Sequence, residues 1–182
     1  MRSTSDHVFV VANFLTEGEA ETIYNEVIRI EPELMKLGPD NFSNTEGDTL
    51  TGRFCYYNAL DNDLVGRILI PKLISLFGLG RWYQAWFNTF REGECIKSHV
   101  HNDRSHPNGP DYFTCCNLFL GGDQSDGTYY NGVQYPNTQG GLLIFRDDIP
   151  HWTTPYTGKD VRISMACDIH PTQQNRYMKR LA

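Results

Sequence analysis

Apolar positions follow two different rhythms along the chain. Up to about Gly80 they recur mainly at helical spacing, and from Arg81 onward they come in short aromatic and β-branched runs. Val8 to Phe14 is apolar and partly β-branched, which predicts a short buried strand. Thr16 stands three residues before Glu19, a capping-box arrangement that satisfies free amides at a helix start. Ala20, Ile23, Tyr24, Val27 and Ile28 then form one stripe of a predicted helix, with Pro32 and the Gly38-Pro39 pair closing the region. Residues 39–53 are rich in turn formers and predict a surface loop. Phe54 to Asn58 reads as a strand. Asp61 is the expected cap of a second helix carrying Leu64, Val65, Ile68 and Leu69, with Pro71 bending or ending it. Leu73 to Phe77 reads as a further turn closed by Gly78 and Gly80. Beyond Arg81, the runs 82–91, 95–103, 112–120, 127–135, 141–146 and 159–169 are separated by Gly, Pro, Asn and Asp. Short strands at that spacing predict a sandwich or barrel. Helices first and strands afterwards make the expected class α+β, with N-terminal helices buttressing a β-core.

Composition narrows the function classes. The 182 residues suit one domain spanning 1–182, and no repeat or low-complexity tract divides them. With 16 basic against 22 acidic residues the net charge is −6, which argues against nucleic acid as an obligatory partner. No apolar run approaches the roughly 20 residues of a membrane span, and MRSTSDHVFVVANF lacks the pattern of a secretory signal. The five cysteines, Cys55, Cys95, Cys115, Cys116 and Cys167, show no CxxC pairing and read as packing residues in a reduced, cytoplasmic compartment. Adjacent Cys115 and Cys116 should point to opposite faces of a strand.

The segment Lys97-Ser98-His99-Val100-His101-Asn102-Asp103 carries the chemistry. On an extended strand His99, His101 and Asp103 share one face. His151, in Asp-Ile-Pro-His-Trp, is the best candidate for a further ligand. Two histidines, one carboxylate and open positions make the facial triad of non-haem Fe(II) oxygenases, in which co-substrate and dioxygen both reach the metal. Arg162 follows His151 by eleven residues, and Ser164 lies two further on, on the same strand face. An arginine fork beside a hydroxyl suits a bidentate hold on a carboxylate. The last strand alternates, with Val161, Ile163, Met165, Cys167 and Ile169 on one face and Arg162, Ser164, Ala166 and Asp168 on the other. A plainer reading makes the second face a solvent-facing one.

Taken together, these segments resemble the 2-oxoglutarate/Fe(II)-dependent dioxygenase superfamily over nearly the whole chain. VFVVANFLTEGEAETIYNEV resembles the opening strand and helix of prolyl-hydroxylase-like members, and WFNTFREGECIKSHVHND their aromatic-x-x-Gly segment leading into an H-x-D strand. YFTCCNLFLGG resembles the next strand, and GGLLIFRDDIPHWTTPYTGKDVRISMACDI the glycine, distal histidine and Arg-x-Ser ending. The resemblance implies a double-stranded β-helix, or jelly-roll, holding Fe(II), with 2-oxoglutarate on the metal and its far carboxylate on Arg162, helped by Ser164. It also implies that dioxygen and 2-oxoglutarate yield succinate, carbon dioxide and, from a substrate, a hydroxylated product. One departure leaves two metal sets open. Spacing from Gly93 places the first ligand at His99 and puts His101 in the carboxylate position. The chemistry of the ordinary triad selects His101, Asp103 and His151, and this set is preferred.

Asn117 and Tyr112 are candidates to line the pocket, Trp82, Trp86 and Trp152 to form core or pocket wall, and Trp152 to point away from the metal. His106 reads as a surface residue. Loops 39–53, 103–111 and 121–139 are expected to shape the entrance for a peptide, an amino acid or another small polar molecule. A cupin-like metalloenzyme that does not use 2-oxoglutarate and a non-catalytic jelly-roll binding protein are the alternatives.

Overall fold

The computed structural model describes residues 8–37, 45–46, 57–101 and 113–182. Strand β1 (Val8–Val11) precedes helix α1 (Glu17–Leu34), which opens on the expected capping box: Glu19 N–H donates to Thr16 Oγ1, and Glu19 accepts from Thr16 N–H. After β2 (Thr45–Glu46), one short helical turn (Ala59–Asp61) leads into α2 (Asp63–Phe77). Nine strands follow: β3 (Trp82–Phe90), β4 (Cys95–Ile96), β5 (Thr114–Gly121), β6 (Thr128–Tyr130), β7 (Val133–Tyr135), β8 (Leu142–Arg146), β9 (His151–Thr153), β10 (Arg162–His170) and β11 (Lys179–Arg180).

The strands form a major antiparallel sheet in the order β1-β8-β5-β10-β3-β11, a smaller sheet β7-β6-β9, and the pair β2-β4. The chain after β4 runs beside β9, with the Ile96 amide on Thr153 Oγ1 at 2.9 Å and an antiparallel bridge between His99 and His151. Two facing layers of this kind, with helices against the outer side of the larger one, make an α+β double-stranded β-helix, the class expected from the pattern and the core implied by the resemblance. Among the described residues no helix is long and apolar enough to cross a membrane.

Period-two alternation divides the major sheet into two faces with separate duties. Ile163, Met165, Cys167 and Ile169 of β10, Ala85 and Phe87 of β3, and Cys116, Leu118 and Leu120 of β5 pack under Ile23 and Val27 of α1 and Leu69 and Leu73 of α2. Arg162, Ser164, Ala166 and Asp168 face the other way, into a cavity between the layers. That face therefore meets an enclosed space and not bulk solvent. Cys115 and Cys116 separate as expected: Cys115 joins the cluster of Phe113, Tyr130 and Phe145, and Cys116 joins the helix-side core.

Local expectations fail at several points. Both helices run through their prolines, since Pro32 lies inside α1 and Pro71 inside α2. The carbonyls left without a partner belong to Ile28 and Arg67, both on exposed faces where water can satisfy them, while buried Leu69 and Leu73 anchor α2 on either side. Leu73 to Phe77 thus belongs to α2 and forms no separate turn. Ile28 is exposed and lies off the apolar stripe. The cap of α2 is Asn62 rather than Asp61, its Oδ1 accepting from the amides of Leu64 and Val65 at 3.0 and 3.1 Å. Tyr57 and Asn58 are not in a strand, and Thr45–Glu46, inside the expected loop, pairs with β4. Residues 121–139 hold the β6–β7 hairpin, in line with the strand run 127–135 and not with a loop over the whole span. In the described part of the run 95–103 regular strand is confined to Cys95–Ile96.

Gly66 in α2 sits against the preceding turn, where an added Cβ would lie 2.5 Å from the carbonyl oxygen of Leu60. In an open helix Gly→Ala stabilises by about 1 kcal/mol. Here Gly66→Ala is expected to destabilise by about 1–3 kcal/mol through overpacking against backbone. Urea unfolding of the two proteins checks the sign.

Candidate metal centre

The centre rests on where two backbone segments cross. His99 N–H donates to His151 O at 3.2 Å and His151 N–H to His99 O at 3.0 Å, while His101 N–H donates to Asp147 O at 2.9 Å. Extended geometry across these bonds turns the rings of His99 and His101 to the same side, where they meet the ring of His151. Ring centroids lie 4.2 Å apart for His99 and His151, 4.9 Å for His101 and His151, and 5.4 Å for His99 and His101. One nitrogen from each ring lies within 4.8 Å of the others.

Each imidazole is oriented by an oxygen. Nδ1 of His99 donates to Lys97 O at 2.9 Å and Nδ1 of His151 to Ile149 O at 3.0 Å, because a carbonyl can only accept. Nδ1 of His101 lies 2.7 Å from the Asp168 carboxylate. With Nδ1 committed in all three, Nε2 is left as the free lone pair, the arrangement of metal-ligating histidines. Burial, then the neighbouring His101, pulls His99 down to about 4, and the same causes with His99 added hold His151 well below its ordinary value. Both are therefore neutral near pH 7. Burial opposes charge on His101 too, but Asp168 outweighs it and the pKa is raised. Cys115 Sγ lies 3.2 Å from the same Nδ1, and burial pushes its thiol well above the usual range.

The rest of the cavity, about 160 Å³, extends from the histidines toward the start of β10. There Arg162 is 1% exposed, with Nη2 donating to Thr128 Oγ1 at 2.9 Å and the guanidinium 4.9 Å from the Phe90 ring. Its Nε and Nη1 have no partner among the described residues. A buried guanidinium with idle donors is unfavourable on its own, and burial lowers its pKa to about 10. Gly122 holds this end in place: with φ of +107°, its Cα lies so close to Arg162 that a Cβ would stand 2.5 Å from the arginine Cα. The pairing register of β10 on β5 shifts between Ile163 and Ser164, beside it. Ser164 and Asn117 border the cavity. Asn117 Nδ2 donates to Tyr130 Oη at 3.1 Å, and burial raises the Tyr130 pKa.

Of the residues singled out from the pattern, His99, His101, His151, Arg162, Ser164 and Asn117 all border one cavity. Asp103, His106 and Tyr112 lie outside the described residues. Trp86 and Trp152 both border the cavity, Trp86 with its ring 5.6 Å from that of His101 and Trp152 with its ring stacked on Tyr129 at 5.3 Å. Three contributors escaped the sequence reading: Thr128, the partner of Arg162; Tyr130; and Asp168 as the partner of His101. Only Asp168 had left a signal, since it shares the alternating face of Arg162 and Ser164.

The donor set fits a divalent transition metal, for which imidazole is a good ligand. The idle atoms of Arg162 fit an anion at the far end of the same cavity. We expect His99→Ala to weaken divalent-metal binding by more than about 100-fold, beyond the loss of an outer hydrogen-bond partner, and Asp103→Ala to leave it nearly unchanged. Nickel titration of both variants separates the two ligand sets, and the reverse order would select the carboxylate set.

No family model and no curated relative matches the chain. Solved structures do. A prolyl-4-hydroxylase from Pseudomonas putida shares 18% identity at a TM-score of 0.59, with 93% of this chain and 95% of that one covered. A prolyl hydroxylase from Trichoplax adhaerens, in complex with a peptide fragment of the hypoxia inducible factor oxygen degradation domain, has a TM-score of 0.64 at 13% identity, covering 92% and 84%. HygX from Streptomyces hygroscopicus, with nickel and 2-oxoglutarate bound, also has a TM-score of 0.64 at 13% identity, covering 91% and 83%. At such identities the likeness speaks for the fold alone, which this chain shares with these three proteins.

Proposed function

We propose that this chain is a non-haem Fe(II) oxygenase that couples oxidative decarboxylation of 2-oxoglutarate to hydroxylation of a small-molecule or peptide substrate. The observation that carries the reading is the pairing, in one cavity, of a histidine cluster with a buried arginine whose Nε and Nη1 have no partner among the described residues. A metal centre alone would not require that arginine. A dicarboxylate bound between the two ends gives both groups their counterpart.

In this reading His99, His101 and His151 hold the metal, with His101 and His151 common to both ligand sets. Iron held there would supply the oxidising power together with dioxygen, whose four electrons would come two from 2-oxoglutarate, which leaves as succinate and carbon dioxide, and two from the substrate C–H bond that becomes C–OH. Arg162 clamps the far carboxylate of 2-oxoglutarate, Thr128 fixes the guanidinium plane, and Ser164 adds a hydroxyl beside it. Phe90, Trp86 and Phe145 keep water away from the walls, which strengthens each of these polar contacts. The substrate approaches where Val100, 41% exposed, borders the mouth.

The all-histidine cluster among the described residues also favours a second reading, a cupin-like metalloenzyme without 2-oxoglutarate. Anaerobic addition of Fe(II) and then 2-oxoglutarate separates the two. A visible band near about 500 nm that needs both components is expected for a keto acid chelated to an open ferrous site. Its absence despite tight iron binding would favour the second reading.

Arg162→Met tests the clamp from the opposite direction. Replacing a buried, underpaired charge by an apolar side chain of similar volume should leave the ligand-free protein as stable or more stable, by up to about 4 kcal/mol. It should also remove the stabilisation that 2-oxoglutarate gives the metal-loaded protein. Thermal melting with and without the keto acid reads both effects, and unchanged ligand stabilisation would sink the assignment of Arg162.

A further inference from the structure

The facial triad of non-haem iron enzymes carries its negative charge on a ligand atom. In this chain the ring of His101 stands two residues after His99, and its inner nitrogen is 2.7 Å from Asp168. Asp168 is set in β10, a middle strand of the major sheet, flanked by Cys115 of β5 and Gln84 of β3 in register. Pairing on both sides fixes the backbone from which its carboxylate reaches the imidazole. Its side chain is 16% exposed and that of His101 is 8% exposed, so little water competes for the contact. Cys115 Sγ also lies 3.2 Å from the same nitrogen.

We propose that Asp168 is the positioning residue of the metal centre, delivering through the His101 imidazole the negative charge that a carboxylate ligand would deliver directly. The proposal rests on the metal-binding part of the function proposed above, and not on 2-oxoglutarate. Asp168 does two things here. It accepts the Nδ1 proton and so fixes the tautomer whose Nε2 is free for a cation. Its charge also makes that nitrogen a stronger donor than the Nε2 of His99 or His151, whose rings lean on neutral carbonyls. The centre thereby has one electron-rich imidazole and two ordinary ones.

Two substitutions separate these duties. Asp168→Asn keeps an acceptor for the His101 proton and removes the charge, whereas Asp168→Ala removes both. With nickel as the probe, followed by competition with a chromophoric chelator, we expect roughly tenfold weaker binding for Asp168→Asn and up to about 100-fold for Asp168→Ala. In a His101→Asp background the carboxylate sits on the ligand itself. There Asp168→Asn should change nickel affinity by less than about threefold. Copper(II) electron paramagnetic resonance gives a readout that mere support of the fold would not move: the nitrogen hyperfine pattern should shift in Asp168→Asn while the metal-free circular dichroism stays that of the parent.

Equal losses in both backgrounds, or Asp168 variants that bind nickel as tightly as the parent, would overturn the proposal and leave the histidine centre standing. A parent protein that binds no nickel would overturn both the proposal and the metal reading beneath it. Nickel binding that depends on Asp168, in a protein that shows no response to 2-oxoglutarate, would support the proposal and count against the oxygenase reading alone.

Discussion

The arrangement of the metal centre depends on two backbone hydrogen bonds between His99 and His151. They join the segment after β4 to β9 and so bring together histidines that are distant in the chain. Because the bonds are between main-chain atoms, the ring positions follow from strand geometry rather than from side-chain choice. The oxygens of Lys97 and Ile149, each two residues before the histidine it orients, come from the same crossing segments. Fold and ligand orientation are thus set by the same few peptide groups.

The cavity behind this crossing is built asymmetrically. At one end are three imidazoles with free lone pairs, and at the other is a guanidinium with idle donors, pinned by Thr128 and by the close approach of Gly122. Both ends are costly to leave unpaired in a dry interior. The protein carries that cost before any ligand arrives, and this is what preorganisation means in energetic terms.

Much of this was legible in the pattern of residues because it rests on short-range periodicity. Alternation along 161–169 placed Arg162 and Ser164 together and separated them from Ile163 and Met165. Thr16 and Glu19 announced the start of α1, and the division into helices and later strands announced the class. Features that depend on exposure were not legible. Pro32 and Pro71 look like breakers until the carbonyls they orphan are seen to face water, and Asn62 and Asp61 are equally good caps on paper. Thr128 and Tyr130 entered the site through a hairpin pairing with β9 that no local spacing encodes. His101 illustrates a different difficulty: its partner Asp168 lies far along the chain, and no local spacing announces that contact.

The division of β10 between two faces has a further consequence. Alternate residues of one nine-residue strand belong to the helix-side core and to the cavity, so the two cannot evolve independently. A conservative change at Met165 or Cys167, which touches nothing in the cavity, still shifts the backbone from which Ser164 and Asp168 project. The β6–β7 hairpin, by contrast, lies in the smaller sheet with β7 at its edge, and β7 can vary with little effect on the helix-side core. Such a chain would adapt to new substrates along its smaller sheet while its central strand stayed almost frozen, with reactivity and folding inherited as one trait.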